Sequence, residues 1–208
     1  MELKTLYDAV VEGDTEAVEK GVRAALEAGL PAEQILNEGL ISAMNEVGRL
    51  FEAQEFYVPE MLVAARAMQA GLTILKPALA QSGHQAGGAI SIGTVKGDLH
   101  DIGKNLVVMM LEGAGFKVTD LGVDVPPEKF VEAVRGGAQL IGMSAMLTTT
   151  MSNMKVTIDA LKAAGVRDQV KILIGGAPLT ASYAEQIGAD GFSPDASAAV
   201  RAAKEMLG

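Results

Sequence analysis

The chain has 208 residues, enough for one large domain or two small ones. Hydrophobic residues make up 49% and charged residues 21%, a globular balance that excludes a disordered tail or a disulfide-stapled miniature. With no cysteine, thiol chemistry, zinc–thiolate sites and iron–sulfur clusters are excluded, and the net charge of −9 leaves no basic face for a nucleic acid.

Aromatics at 4%, with no Trp, also argue against base stacking, so nucleic acid is not an expected partner. No apolar run approaches the roughly 20 residues of a membrane span, so no membrane partner is expected. The start, Met1-Glu2-Leu3-Lys4, lacks the apolar stretch of a secretory signal, and the expected address is cytoplasmic.

The first part reads as helices. Residues 3–12 and 14–28 carry apolar side chains at three- and four-residue spacing, with Asp14 as a cap for the second run. Gly29-Leu30-Pro31 interrupts the pattern. Residues 32–51 predict a third helix, with Ile35, Leu36, Leu40, Met44, Val47 and Leu50 on one side. A connection from Glu52 to Tyr57 leads to Pro59, which suits a helix start, and 59–80 read as a further long helix. Residues 1–86 are therefore expected to form a helical bundle. The polar, glycine-rich stretch 81–88 reads as a linker.

After it the period changes. Short apolar runs at 89–95, 117–121, 140–144, 171–174 and 191–193 alternate with helical patterns at 103–114, 127–135, 151–164, 179–187 and a last one ending at Leu207. Five strands alternating with five helices predict a parallel sheet covered on both faces, a doubly wound domain of Rossmann or flavodoxin type over 88–208. The fold class is thus α plus α/β. Ligands on such sheets bind beyond the carboxyl ends of the strands, which directs attention to 96–103, 122–126, 144–150, 175–178 and 193–196.

The segment from Gly93 to Asn105 is the densest group of polar and glycine residues. It lacks the dinucleotide fingerprint. It also departs from a P-loop, since five residues separate Gly97 from Gly103 and Asn105 stands where a magnesium-binding hydroxyl is needed. His100 is one of two histidines, the other being His84. By residue chemistry alone the simpler reading is a hydrogen-bonded surface histidine. Imidazole is also the commonest metal ligand, and Asp98 is near enough to accept its second N–H. Zinc wants at least three protein ligands, and none are grouped here. A metal on His100 must bring its other ligands with it, as a macrocycle does.

Asp98-x-His100-x-x-Gly103 resembles the D-x-H-x-x-G signature of cobalamin-binding domains. Ser144-Ala145-Met146 is similar to the family's S-x-L element, with Met in place of Leu, and Gly175-Gly176 to its glycine pair. The three occur in order, each at the end of a predicted strand. Val47-Gly48-Arg49-Leu50-Phe51 through Phe56-Tyr57-Val58-Pro59-Glu60 resembles the cap module that precedes the corrinoid domain in methionine synthase and in small corrinoid proteins of methyltransferases. The resemblance covers nearly the whole chain.

It implies cobalamin or a related corrinoid as cofactor, bound with its own lower base displaced from cobalt and its nucleotide tail in a slot of the sheet domain. His100 would be the lower axial cobalt ligand, Asp98 the acceptor of its other N–H, and Thr150 the partner of Asp98. Ser144 and Thr148 would contact the tail. Gly97, Asp101, Ile102, Gly103 and Met146 would lie against the corrinoid, with Lys96 and Lys104 near it or simply solvated. Gly175 and Gly176 would let a flat group approach the backbone, although taken alone they read as a strand-to-loop turn. Phe51 and Val58 would cover the upper cobalt face, Val58 where a larger Leu is common. On spacing alone they read as bundle core.

The function implied is a methyl carrier, loaded by a substrate-specific methyltransferase and unloaded by a second one onto an acceptor such as tetrahydrofolate or a thiol, with a reductive activase as a further partner. The protein itself would supply binding, orientation and ligand tuning. The glycine-rich linker would let the cap swing aside. A cobalamin-dependent regulator would need a DNA-binding module for which the chain has no spare segment. A mutase small subunit would have no use for the helical cap.

Overall fold

A computed structural model describes residues 3–82 and 87–208. The middle of the expected linker, 83–86, with His84, lies outside the described residues. Those residues fall into two compact units, 3–82 with 112–115, and 87–111 with 116–208.

The first unit holds four helices. Helix α1 is Leu3–Glu12 and α2 is Thr15–Glu27. The Asp14 carboxylate accepts the Ala17 N–H at 3.0 Å, the cap expected for α2. Helix α3 runs without a break through Ala32–Gln34, Ile35–Ile41 and Ser42–Glu52, the middle piece wound as a π-helix. The wider turns change the phase at which side chains face the bundle. Ile35, Leu36, Leu40, Met44 and Val47 are buried as expected, whereas Leu50 is only partly so. Helix α4, Val58–Ser82, begins one residue before Pro59 and takes up the first two residues of the expected linker. The Glu60 carboxylate accepts the Tyr57 N–H at 3.0 Å and closes the start of α4. Leu6, Val10, Val22, Leu40, Met61, Met68 and Leu75 make the interior. Each large apolar side chain removed from water contributes about 1.5–3 kcal/mol. Gly71 brings α2 and α4 together, because a Cβ there would come within 2.8 Å of the Val18 side chain.

The second unit is a five-stranded parallel sheet in the order β2-β1-β3-β4-β5, formed by Ala89–Thr94, Lys117–Asp120, Leu140–Ser144, Lys171–Gly175 and Gly191–Ser193 as β1 to β5. Helices α5 (Ile102–Gly113), α6 (Pro127–Arg135), α7 (Ser152–Ala163), α8 (Ala181–Ile187) and α9 (Ala196–Leu207) alternate with the strands. The chain steps one way from β1 to β2 and the other way from β2 onward. Right-handed crossovers therefore send α5 to one face and α6, α7 and α8 to the other. On that second face Phe130, Val134, Met154, Ile158, Leu161 and Ile187 pack with Val95, Ile141, Met143, Ala145, Ile172 and Ile174. The switch point, where the strand order reverses, lies between β1 and β3, and this is where such sheets hold ligands.

Candidate functional site

The turn after β1 is built to present His100. Val95 leaves the strand through a bridge to Val125, and Gly97 follows at φ 82°, a left-handed conformation that a glycine adopts without strain. Asp98 comes next and is fully buried. Its Oδ1 accepts the His100 backbone N–H at 3.0 Å and faces His100 Nδ1 at 2.8 Å. Its Oδ2 accepts the Met146 N–H at 2.8 Å and the Thr150 hydroxyl at 2.7 Å. Each carboxylate oxygen thus meets two donors, from the ends of two different strands.

Burial alone pushes the Asp98 carboxyl up. The Thr150 hydroxyl, the Met146 and His100 N–H groups and the His100 ring outweigh it and hold the carboxyl well below the usual carboxylate range. Asp98 is therefore ionised at neutral pH, and its oxygen accepts from Nδ1–H. That leaves the lone pair of neutral imidazole on Nε2. The His100 side chain is 54% exposed, so the ring is open to a ligand rather than buried.

Three residues that sequence reasoning missed fix the loop further. The buried Thr94 hydroxyl donates to the His100 carbonyl at 2.9 Å. Asp124 takes φ 51°, a left-handed conformation that Asp tolerates, and its carboxylate accepts the Gly97 N–H at 2.7 Å while its own N–H donates to the Asp98 carbonyl at 2.9 Å. The Asn153 side-chain amide donates to the Lys96 carbonyl at 2.8 Å. Asp124 and Asn153 stand just after turns in the sequence, but only the folded register shows which carbonyl or amide each one meets.

The other expected residues lie in different surroundings. Met146, Thr148 and Ile102 are exposed, Ile102 to 82%, and Gly103 has open space where a side chain would begin. Ser144 and Gly175 are partly buried neighbours in the sheet. Asp101 and Lys104 are held within the protein. Asp101 accepts from the Asn105 amide at 3.1 Å, and the buried Lys104 reaches Asp120 at 2.5 Å and Asn105 at 2.7 Å. Gly176, at φ 136°, answers to the protein itself, since a Cβ would lie 1.9 Å from the Ala145 carbonyl oxygen. This is the strand-to-loop reading of the glycine pair, made more stringent by a crowded backbone. In the helical unit, Phe51 is partly buried and Val58 is 41% exposed. Neither belongs to the bundle core that their spacing suggested.

Around His100 the chain exposes large apolar groups that a folded surface ordinarily hides. Leu99 is 71% exposed, and Ile102, Val123, Met146 and Leu147 from three loops of the same sheet end are exposed as well. Exposed apolar side chains on the loops at the sheet end that carries His100 fit a wide, mostly apolar ligand with one coordination position to fill. Among the described residues no three His, Cys, Asp or Glu side chains gather to hold a bare metal ion.

Comparison with known proteins agrees with this geometry. A B12 binding domain model matches residues 88–203, and a second B12 binding domain model matches residues 2–76. Dimethylamine corrinoid protein 2 of Methanosarcina acetivorans is 44% identical over 207 residues, covering 99% of this chain and 95% of the relative. Among solved structures, a cobalamin-binding protein from Desulfitobacterium hafniense matches with TM-score 0.82 and 33% identity, over 100% of this chain and 99% of that one. The methanol:cobalamin methyltransferase complex of Methanosarcina barkeri matches with TM-score 0.87 and 29% identity, over 99% of this chain and 79% of that one.

Proposed function

The chain belongs to the B12 binding domain family, with a corrinoid as its cofactor, and from this premise we propose that it carries a methyl group between two methyltransferases. The first would take the methyl group from a small methylated substrate and load it. The second would pass it to an acceptor, tetrahydrofolate or a thiol. A reductive activase would restore the cofactor after oxidation. The names of similar proteins point to methylamines or methanol as the class of donor. A cytoplasmic address is part of the proposal, and among the described residues no helix is long and apolar enough to cross a membrane.

The observation that carries the proposal is the half-exposed His100, aimed by the buried, ionised Asp98 within an apolar rim. The bound corrinoid supplies a cobalt that accepts and releases the methyl group. The chain's part is to bind, orient and shield. His100 Nε2 would hold the cobalt. Asp98 keeps the Nδ1 proton in place, and Thr150 holds Asp98. Leu99, Ile102 and Met146 meet the macrocycle, joined by Gly97, Asp101 and Gly103. Ser144 and Thr148 meet the nucleotide tail beside Gly175 and Gly176. In this reading residues 1–86 would be the cap domain, in which Phe51 and Val58 would keep water and oxygen from the cobalt, and residues 88–208 would be the corrinoid domain.

Reconstitution tests this. The purified chain, given hydroxocobalamin and freed of excess, is expected to hold about one corrinoid per chain. Its reduced Co(II) form should show nitrogen hyperfine structure in electron paramagnetic resonance. His100→Ala should keep the corrinoid and lose that nitrogen pattern. A colourless wild-type protein would sink the proposal, and an unchanged pattern in the variant would sink the assignment of His100.

A further inference from the structure

Among the described residues only two charged side chains are buried, Asp98 and Lys104, and they stand on either side of His100, two residues before it and four after. Asp98 holds the imidazole, whereas Lys104 has no such evident duty. Its place is nevertheless a costly one. The side chain is 2% exposed, so a charge is taken out of water. It also lies in the first turn of α5, where the partial positive charge of a helix start disfavours a cation. An uncharged side chain of similar length would fill the same space without either cost.

The partners of Lys104 lead back to His100 by two routes. Its ammonium donates to Asn105 Oδ1 at 2.7 Å and to Asp120 Oδ2 at 2.5 Å. On the first route the Asn105 amide donates to Asp101 Oδ2 at 3.1 Å. On the second, Asp120 Oδ1 accepts the Gly122 N–H at 2.9 Å and the Gly122 carbonyl accepts the Thr94 N–H at 3.0 Å. The Thr94 hydroxyl then donates to the His100 carbonyl at 2.9 Å. The two routes end on neighbours, His100 and Asp101. They close a circuit through β1, β2 and the start of α5, and Lys104 is the member that joins them.

We propose that Lys104 is a positioning residue for His100, its buried ion pair with Asp120 fixing the backbone that carries the imidazole. The inference rests on the corrinoid reading above and deepens it, since the residue acts on the ligand-holding loop and touches no ligand. Hydrogen bonds are directional and apolar packing is not. An apolar side chain at 104 would keep α5 on the sheet but leave the His100–Asp101 peptide free to turn. The histidine is thus held twice, its imidazole by Asp98 and its backbone through Lys104.

The test uses Lys104→Met and the double variant Lys104→Met, Asp120→Asn, in which neither charge of the pair remains. Each full chain is compared with wild type, first without corrinoid and then with hydroxocobalamin. Without corrinoid the double variant is expected to fold and to melt close to wild type, because removing both members of a buried ion pair is often nearly neutral. Amide relaxation by nuclear magnetic resonance should show His100 and Asp101 more mobile than in wild type. Affinity for hydroxocobalamin should fall about fivefold, because the loop is then ordered on binding rather than on folding. The nitrogen hyperfine pattern of the Co(II) form should broaden. Affinity within twofold of wild type with an unbroadened pattern would overturn the proposal. So would failure of both variants to fold, which would make Lys104 a residue of the fold alone. Wild-type protein that takes no corrinoid would overturn the corrinoid reading itself. Rigid His100 and Asp101 amides in the corrinoid-free variants would overturn the role of Lys104 alone.

Discussion

Replacing Asp98 by Asn tests the centre of the site without changing its shape. The carboxylate accepts from four donors, two on each oxygen. An amide has one oxygen for them. If that oxygen faces His100, the amide NH2 meets the Met146 N–H and the Thr150 hydroxyl. The hydroxyl can turn to the Leu147 carbonyl, which it already reaches at 3.0 Å, but the Met146 N–H is orphaned. If the amide is reversed, the His100 backbone N–H is orphaned instead, and the ring must present a bare Nδ1. The proton then moves to Nε2, where a metal would bind. Charge-assisted bonds are worth about 1.5–3 kcal/mol each and an orphaned buried donor costs about 1–3 kcal/mol, while the variant no longer desolvates a charge. We expect Asp98→Asn to lower the stability of the corrinoid-free protein by about 2–4 kcal/mol at pH 7, read by urea unfolding followed by circular dichroism. Asp98 is depressed in the folded state, so its contribution is full above the unfolded value near pH 3.9 and is lost as pH falls through the folded one. The difference between wild type and variant should therefore shrink by about 1 kcal/mol at pH 3. A difference below about 0.5 kcal/mol at pH 7, or one that widens in acid, would refute this account of the network.

Thr150→Val should cost about 1–2 kcal/mol by removing a donor to a buried charge, and Thr150→Ser should restore most of it, as unfolding midpoints would show. Gly176→Ala should yield little folded protein in a solubility assay, because its Cβ meets the Ala145 carbonyl oxygen and its φ is unfavourable for alanine. Thr94→Val should cost about 1 kcal/mol and broaden the nitrogen hyperfine pattern of the Co(II) form, reporting a less fixed His100. Phe51→Ala should hasten loss of the reduced cofactor to oxygen, with little change in corrinoid retention, as followed by absorbance.

Much of this site was legible because chemistry sits where parallel strands end. Asp98, His100 and Thr150, spread over 53 positions, were joined in advance by the family signature, and the fold brings them within hydrogen-bonding distance. Thr94 was not legible. In a strand it reads as an ordinary β-branched residue, and its partner is a backbone carbonyl that no side-chain pattern can disclose. Asp124 was hidden for a related reason, since a non-glycine residue at positive φ leaves no compositional mark. The π winding of α3 likewise escaped an analysis by apolar spacing, because a phase change of one residue blurs rather than breaks the periodicity. The partial burial of Phe51 and the exposure of Val58 could not be read from spacing, which describes a helix face but not what that face meets.

The completeness of the Asp98 network has a consequence for the timing of cofactor exchange. All four donors are engaged within the chain itself, so the imidazole is preorganised and its ordering entropy is lost on folding rather than on ligand capture. On the proposed reading, release of one corrinoid would leave the loop set for the next, and replacement of a damaged cofactor would need no rebuilding of the loop.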